Sequence, residues 1–259
     1  MSRPWRLLID EPLDGALNMA LDRAALTAHE QGLAPATLRL YRWTRPTVTL
    51  GRFQDASEID FDECRRAGVD VARRATGGRG VLHDDELTYS LVAGIEDGVP
   101  RGVTDSYRLL STALAAAYGR MGVEARLVSR DAPGPGSGAC YLSATRADLV
   151  HAGRKLSGSA QVWSGSSLLQ HGSFTRTRNI ELESRVFRLD ATQRERLMTT
   201  TATLADALTE PPLIDDMVGA VREAFEDVLG VELVPGCRSA FEAAAAGDMI
   251  RACRVSGSE

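Results

Sequence analysis

Lys155 and Cys140 are the two side chains whose types and spacing point most directly to covalent chemistry. Of the 30 basic residues, Lys155 is the only lysine, and Cys140 lies fifteen positions before it, after a glycine-rich stretch. A lysine ammonium is compact and its pKa can be shifted by its surroundings, whereas a guanidinium is broad and always charged. An ammonium near a thiol favours the thiolate, which is the nucleophilic form. We therefore predict a nucleophilic Cys140 assisted by Lys155. The alternatives are a buried apolar cysteine and a lysine retained by chance.

Three glycine-containing segments are candidates for a binding wall around these two residues. In segment 73–83, RRATGGRGVLH, glycines interrupt what is otherwise strand, and glycine lets a backbone approach a ligand closely. Small residues follow the lysine in KLSGSAQ, and LLQHGS places a histidine and a glycine inside a predicted strand. The residues predicted to line a ligand are Arg74, Gly77, Gly78, His83, Gly158, Ser159, Ala160, His171, Gly172 and Ser173. Tight turns, a β-bulge, arginine–acid pairs and a structural histidine remain alternative interpretations.

The composition argues against several other classes of protein. A net charge of −5 disfavours a nucleic-acid partner, which usually needs a basic face. Cys64, Cys237 and Cys253 lie in helical patterns and form no CxxC pair, so we interpret them as structural and expect no metal site. The first residues lack a continuous apolar signal segment, and no stretch reaches membrane-spanning length. We expect a cytoplasmic protein that binds no membrane.

Hydrophobic periodicity predicts strands and helices in an order typical of a mixed α/β or α+β fold. Amphipathic helices are predicted at 14–31, 60–67, 105–121, 191–208, 214–229 and 240–253. Strands are predicted at 37–43, 47–50, 69–73, 87–93, 123–128, 148–151, 155–163 and 167–175. The Pro- and Gly-rich segment 131–138 is interpreted as a loop rather than a linker, because strand patterns resume on both sides of it.

The three glycine-containing segments, in this order, resemble those of the biotin/lipoate protein ligase and octanoyltransferase superfamily. RRATGGRGVLH resembles the family's RRxxGGxxVxH loop, and KLSGSAQ followed by LLQHGS is similar to its lysine strand and the next hairpin. The resemblance spans roughly residues 38–175. The cysteine selects the branch, because LipM-type octanoyltransferases carry a cysteine shortly before the lysine motif, as GACYLSATRADLVHAGRKLSGSAQ does. The ATP-dependent ligases need no such nucleophile.

The resemblance implies one catalytic domain over residues 1–259, with a core at about 14–230, a helical C-terminal tail and no full accessory domain. Its fold would be a curved mixed sheet around an acyl tunnel, with flanking helices. Cys140 would accept an octanoyl group from acyl carrier protein and pass it to a lysine of a lipoyl domain, such as glycine cleavage H protein, without ATP or another cofactor. Lys155 would lower the pKa of Cys140 and hold the acyl carbonyl.

Three alternatives stay open at this point. The first is an ATP-dependent lipoate or biotin ligase, which would require ATP. The second is an amidotransferase that takes octanoyl from H protein instead of acyl carrier protein. The third is a non-catalytic acyl-binding protein, which would form no covalent intermediate. The oligomeric state and the chain-length preference are not fixed by the sequence.

Overall fold

The computed structural model describes residues 4–127 and 148–257 as three β-sheets with surrounding helices. The strands are β1 (Trp5–Ile9), β2 (Thr37–Tyr41), β3 (Thr47–Leu50), β4 (Asp70–Arg73), β5 (Val81–His83), β6 (Glu86–Gly94), β7 (Arg126–Leu127), β8 (Leu149–His151), β9 (Arg154–Ser157), β10 (Ser159–Ser164), β11 (Ser167–Thr175) and β12 (Leu233–Pro235). The helices are α1 (Gly15–Glu30), α2 (Phe61–Ala67), α3 (Val103–Arg120), α4 (Ile180–Val186), α5 (Ala191–Thr200), α6 (Leu204–Ala207), α7 (Ile214–Leu229) and α8 (Ala240–Cys253). Mixed α/β is therefore the fold class, as predicted.

The largest sheet has six strands in the order β10-β11-β6-β2-β1-β12. Strand β1 pairs in parallel with both β2 and β12, while the pairs from β2 to β10 are antiparallel. Helices α3 and α7 bury one face, where Tyr89 and Phe174 lie in the same apolar cluster as Phe225. Helix α1 covers the opposite face, and this face carries buried polar residues as well as apolar ones. The two faces of the main sheet therefore differ, and the face under α1 is the more polar.

Two smaller, three-stranded sheets flank the main sheet. The first, in the order β4-β3-β5, carries the glycine-rich segment between β4 and β5. The second, in the order β7-β8-β9, carries Lys155 on β9. Strand β9 lies close to β11 of the main sheet, since the Ser157 hydroxyl donates to the backbone oxygen of Ser173 at 2.9 Å. Both small sheets thus carry a candidate segment, and the one on β9 is in contact with β11.

Helix α1 begins at an aspartate cap and is covered by the last helix. The Asp14 carboxylate accepts from the backbone N–H groups of Ala16 and Leu17, which is a common way to satisfy a helix N-terminus. Helix α8 packs along α1, and Ala246 and Cys253 share one buried cluster with α1. Within the described parts of the chain, no helix is long and apolar enough to cross a membrane.

Several element predictions were wrong in ways that matter for the site. The predicted strand 155–163 is two strands in different sheets, β9 and β10, which separate at Gly158. The predicted helix 191–208 ends at Thr200, and α6 follows as a separate short helix. Strands β1 and β12 and helix α4 were not predicted. Short apolar runs such as WRLLI are ambiguous without knowledge of their long-range partners.

Candidate active site

A tight hairpin brings Lys155 next to Asp148. Strands β8 and β9 are joined at Ala152 and Gly153, whose φ angles of 47° and 78° are both positive, as a two-residue hairpin turn requires. The pairing then slips, because Val150 opposes Lys155 whereas the preceding Leu149 opposes Ser157. Such a β-bulge re-aims the side chains around it. The hairpin and its bulge therefore determine where Lys155 lies.

Lys155 and Asp148 form a buried ion pair. The Lys155 Nζ lies 2.9 Å from Asp148 Oδ2, and the two side chains are only 1% and 4% exposed. A buried ammonium is unfavourable without a counter-charge, so the carboxylate allows Lys155 to be charged in this position. The sequence singled out Lys155 and missed Asp148. The available signal was an acid seven positions before the only lysine, across a two-residue turn.

Gly158 leaves the space that this ion pair occupies. A Cβ atom on Gly158 would lie 2.9 Å from Asp148 Oδ1 and 3.2 Å from Lys155 Nζ. Gly172 has an equally close neighbour, since its Cβ would lie 2.7 Å from the backbone oxygen of Gly158. Ser159 is hydrogen-bonded to Tyr89, with 2.7 Å between the two hydroxyl oxygens. The predicted wall residues on β10 and β11 are therefore in direct contact, next to the lysine.

Arg74 shapes the glycine-rich segment from inside. Its side chain is buried, and its guanidinium donates to the backbone oxygens of Thr49, Gly77 and Arg79, at 2.9, 2.8 and 2.8 Å respectively. Gly78 has a φ of +94°, a region that favours glycine. That Arg74 lines a ligand stays a prediction, and in the structure its hydrogen bonds hold the backbone of the loop. This is a positioning role for the loop backbone.

A buried chain of hydrogen bonds fastens the same loop to the main sheet. His171 Nδ1 lies 3.0 Å from Asp22 Oδ2, and His171 Nε2 lies 2.7 Å from the Thr76 hydroxyl. Asp22 Oδ1 also accepts from Arg39 and from Ser90, each at 2.7 Å. Thr76 lies in the glycine-rich segment, so the chain runs from α1 through β11 to the loop. We name these five residues the Asp22 network.

The electrostatics of the Asp22 network favour an ionised carboxylate beside a neutral imidazole. Burial raises the pKa of Asp22, but the hydrogen bond from His171 and the charge of Arg39 outweigh it and hold that pKa below its ordinary value. Burial lowers the pKa of His171 against the opposing influence of Asp22. A neutral His171 donates a hydrogen bond from Nδ1 to Asp22 and accepts one at Nε2 from the Thr76 hydroxyl.

Glu86 accepts hydrogen bonds from the remaining predicted polar residues, His83 and Ser173. Its Oε1 accepts from His83 Nδ1 at 2.7 Å and from the Ser173 hydroxyl at 2.6 Å. The Thr88 hydroxyl and the Trp43 indole donate to the same oxygen, and the Trp43 ring stacks on His83 at a centroid distance of 4.4 Å. Burial raises the pKa of Glu86, but the charge and hydrogen bond of His83, with the two hydroxyls, hold it below its ordinary value. Sequence reasoning missed Glu86, Thr88 and Trp43.

The structure thus brings most predicted site residues together and leaves one undescribed. Four groups of predicted residues lie near residues 171–173 of β11: the glycine-rich segment, Gly158 to Ala160, His171 to Ser173 and Lys155. Cys140 lies outside the described residues. Of the other cysteines, Cys64 and Cys253 are buried, and burial raises the pKa of Cys64 to about 11. Those two thiols are therefore poor nucleophiles near neutral pH.

Comparison with known proteins identifies the class. The family model of the lipoyl protein ligase A/B catalytic domain matches residues 14–226, and the chain belongs to this family. The chain is similar to "Octanoyltransferase LipM" of Brevibacillus brevis, with 33% identity over 95% of each chain. It is similar to the protein of the same name from Kyrpidia tusciae, with 38% identity over 92% of each chain. The chain is an acyltransferase, as the sequence motifs predicted.

Solved structures of lipoate-protein ligases share the fold. A lipoate-protein ligase A bound with ATP superposes with a TM-score of 0.81 at 24% identity, covering 96% of this chain and 95% of the other. A bipartite lipoate protein ligase of Thermoplasma acidophilum gives a TM-score of 0.78 at 24% identity, covering 96% and 92%. At this identity the likeness concerns the fold alone.

Proposed function

We propose that this acyltransferase moves an octanoyl group from octanoyl-acyl carrier protein to a lysine of a lipoyl domain in lipoate biosynthesis. The acceptor we favour is glycine cleavage H protein. The intermediate on the enzyme is an octanoyl thioester of Cys140. Relatives named as octanoyltransferases support the acyl group and the reaction. The buried Lys155–Asp148 pair is the structural observation that carries the proposal.

The first half-reaction exchanges one thioester for another. The Cys140 thiolate attacks the thioester carbonyl, a new C–S bond forms, and the bond to the carrier sulfur breaks. The carrier leaves as a thiolate and takes up a proton from solvent. Because the bond broken and the bond formed are of the same kind, the step needs no ATP. The Lys155 ammonium supports this half-reaction by favouring the thiolate of Cys140 over the thiol.

The second half-reaction forms the product amide. The neutral ε-amine of the acceptor lysine attacks the Cys140 thioester, a C–N bond forms, and the C–S bond breaks. The nitrogen releases its extra proton to solvent, and Cys140 returns to the thiolate that Lys155 favours. Developing negative charge on the carbonyl oxygen is stabilised by the ammonium of Lys155.

Intact mass spectrometry with octanoyl-acyl carrier protein and no ATP tests the proposal. We expect one octanoyl adduct that neutral hydroxylamine removes, as it removes thioesters, and that maps to Cys140. Cys140→Ser should abolish the adduct, whereas Cys237→Ser, a change at an exposed cysteine, should leave it intact. A strict need for ATP would indicate a ligase instead. Loading only from octanoylated H protein would indicate the amidotransferase, and no adduct from either donor would indicate a binding protein.

A further inference from the structure

Asp148 is placed to act on Lys155. One oxygen of its carboxylate lies 2.9 Å from Lys155 Nζ, and the other lies against Gly158. Asp148 immediately precedes β8, and the bulged pairing of β8 with β9 fixes its distance from Lys155. Tyr107 of α3 also feels this carboxylate. Burial, with the charges of Tyr89 and Asp148, raises the pKa of Tyr107 so far that it stays a neutral phenol.

A buried lysine can exist in two forms with opposite consequences in this enzyme. As an ammonium it stabilises anions and cannot attack a carbonyl. As a neutral amine it is a nucleophile of the same kind as the acceptor lysine. Burial by itself favours the neutral amine. An amine beside an octanoyl thioester would form a C–N bond, break the C–S bond and lose a proton, leaving an inert amide on the enzyme.

We propose that Asp148 is a positioning residue that keeps Lys155 protonated, so that Lys155 acts as a fixed positive charge and is protected from acylation. The inference rests on the proposed function, because it requires an octanoyl thioester near Lys155. Its physical basis is the close, buried ion pair, in which the carboxylate supplies the counter-charge that water cannot. Gly158 contributes by leaving room for both side chains.

The single lysine makes a direct test feasible. Protein grown with ¹⁵N,¹³C-labelled lysine gives one side-chain NMR signal, that of Lys155. In the wild type we expect this signal to remain that of an ammonium through about pH 9, as for an ordinary lysine. In Asp148→Asn the ammonium should be lost at lower pH, while Asp148→Glu should retain it. A matched change at the exposed Arg126–Glu124 ion pair next to the same small sheet, Glu124→Gln, should leave the signal unmoved.

Activity and mass provide the second arm. Asp148→Asn and Lys155→Met should slow octanoyl transfer by a similar factor, and the double variant should be no slower than either. After incubation with donor, Asp148→Asn alone should accumulate an octanoyl adduct on Lys155 that hydroxylamine does not remove. Circular dichroism confirms folding of each variant. If Asp148→Asn does not fold, the wild-type titration decides, because a Lys155 that is neutral below about pH 9 overturns the proposal.

The outcomes separate this inference from the proposed function. Full activity in Lys155→Met would refute the role of Lys155 in octanoyl transfer. A second outcome is an impaired Lys155→Met beside a fully active Asp148→Asn that shows an unmoved lysine signal and no amide on Lys155. This outcome would be compatible with the proposed octanoyl transfer and would overturn the positioning role of Asp148. Additive losses in the double variant would show that Asp148 acts independently of Lys155, which also contradicts the proposal.

Discussion

Two walls of the site are held by different means: the glycine-rich wall, which is segment 73–83, and the lysine wall, which is residues 148–158. The glycine-rich wall is fastened by many bonds, since Arg74 alone donates to three backbone oxygens and the Asp22 network adds another set. In the described part of the lysine wall, the charge of Lys155 is balanced by Asp148. When many hydrogen bonds hold one segment, the others remain after one is lost, whereas breaking the single ion pair of Lys155 and Asp148 leaves a buried charge without that partner. Substitutions should therefore act most strongly at the lysine wall.

The largest effect is expected for Lys155→Met. Removing the ammonium leaves the Asp148 carboxylate buried without this counter-charge, which should lower the free energy of unfolding by about 3–5 kcal/mol. Adding Asp148→Asn should recover part of that loss, because the negative charge of the buried carboxylate is then removed. Urea denaturation measures both variants. A loss below about 1 kcal/mol in the single variant would place the pair in the range of exposed salt bridges and contradict its burial.

A smaller effect is expected at the closest backbone contact of the glycine wall. A Cβ on Gly51 would lie 2.0 Å from the backbone oxygen of Gly78, which cannot move aside as a side chain can. Gly51→Ala should therefore cost about 1–3 kcal/mol, or more if the loop cannot shift. Gly77→Ala in the same wall is the matched control, since its Cβ would meet nothing within 4 Å. Equal melting temperatures for the two variants would show that the contact is not rigid.

His171→Gln should lower the free energy of unfolding at neutral pH by less than Gly51→Ala does. It should also change how that free energy depends on pH. The folded state lowers the pKa of His171, so the unfolded chain binds more protons as the pH falls below about 6.5. The contribution of neutral His171 is thus complete above that pH and is lost progressively below it. His171→Gln should flatten the stability profile between about pH 5 and 7. An unchanged slope in chemical denaturation across that range would contradict this account.

The smallest effect is expected for Ser173→Ala. Ser173 is one of several donors to the same oxygen of Glu86, and the others remain when its hydroxyl is removed. The expected loss is about 0.5–1.5 kcal/mol, the usual net value of one hydrogen bond. Differential scanning calorimetry, with Ser90→Ala of the Asp22 network for comparison, measures it. A loss as large as that of Lys155→Met would refute the contrast between the walls.

Local sequence pattern was sufficient to predict the glycine-containing segments of the site. It was insufficient to predict the residues that bind to them. RRATGGRGVLH, KLSGSAQ and LLQHGS carry their own signatures, and these segments do lie together. Asp22 is 149 positions from His171, and no local pattern indicates that the two will meet. Glu86 was missed for another reason, because it lies at the start of a strand and resembles an ordinary exposed acid.

The strand containing Lys155 shows a different limit of sequence reasoning. Residues 155–163 have the composition of one continuous strand, and a glycine inside a strand is tolerated often enough not to end it. Only the pairing partners reveal that the chain changes sheets at Gly158. The same glycine is required for space rather than for a positive φ, so its role depends on side chains that fold against it.

The pairing of elements far apart in the sequence affects how the protein folds during synthesis. Strand β1 pairs with β12, and the face of α1 turned from the main sheet is covered by α8. During synthesis, the first strand and first helix emerge from the ribosome more than two hundred residues before these partners. Their apolar surfaces, including Met19 and Leu21, stay open to water or to chaperones until then. The packing of β1 and α1 is therefore completed only after β12 and α8 have been translated.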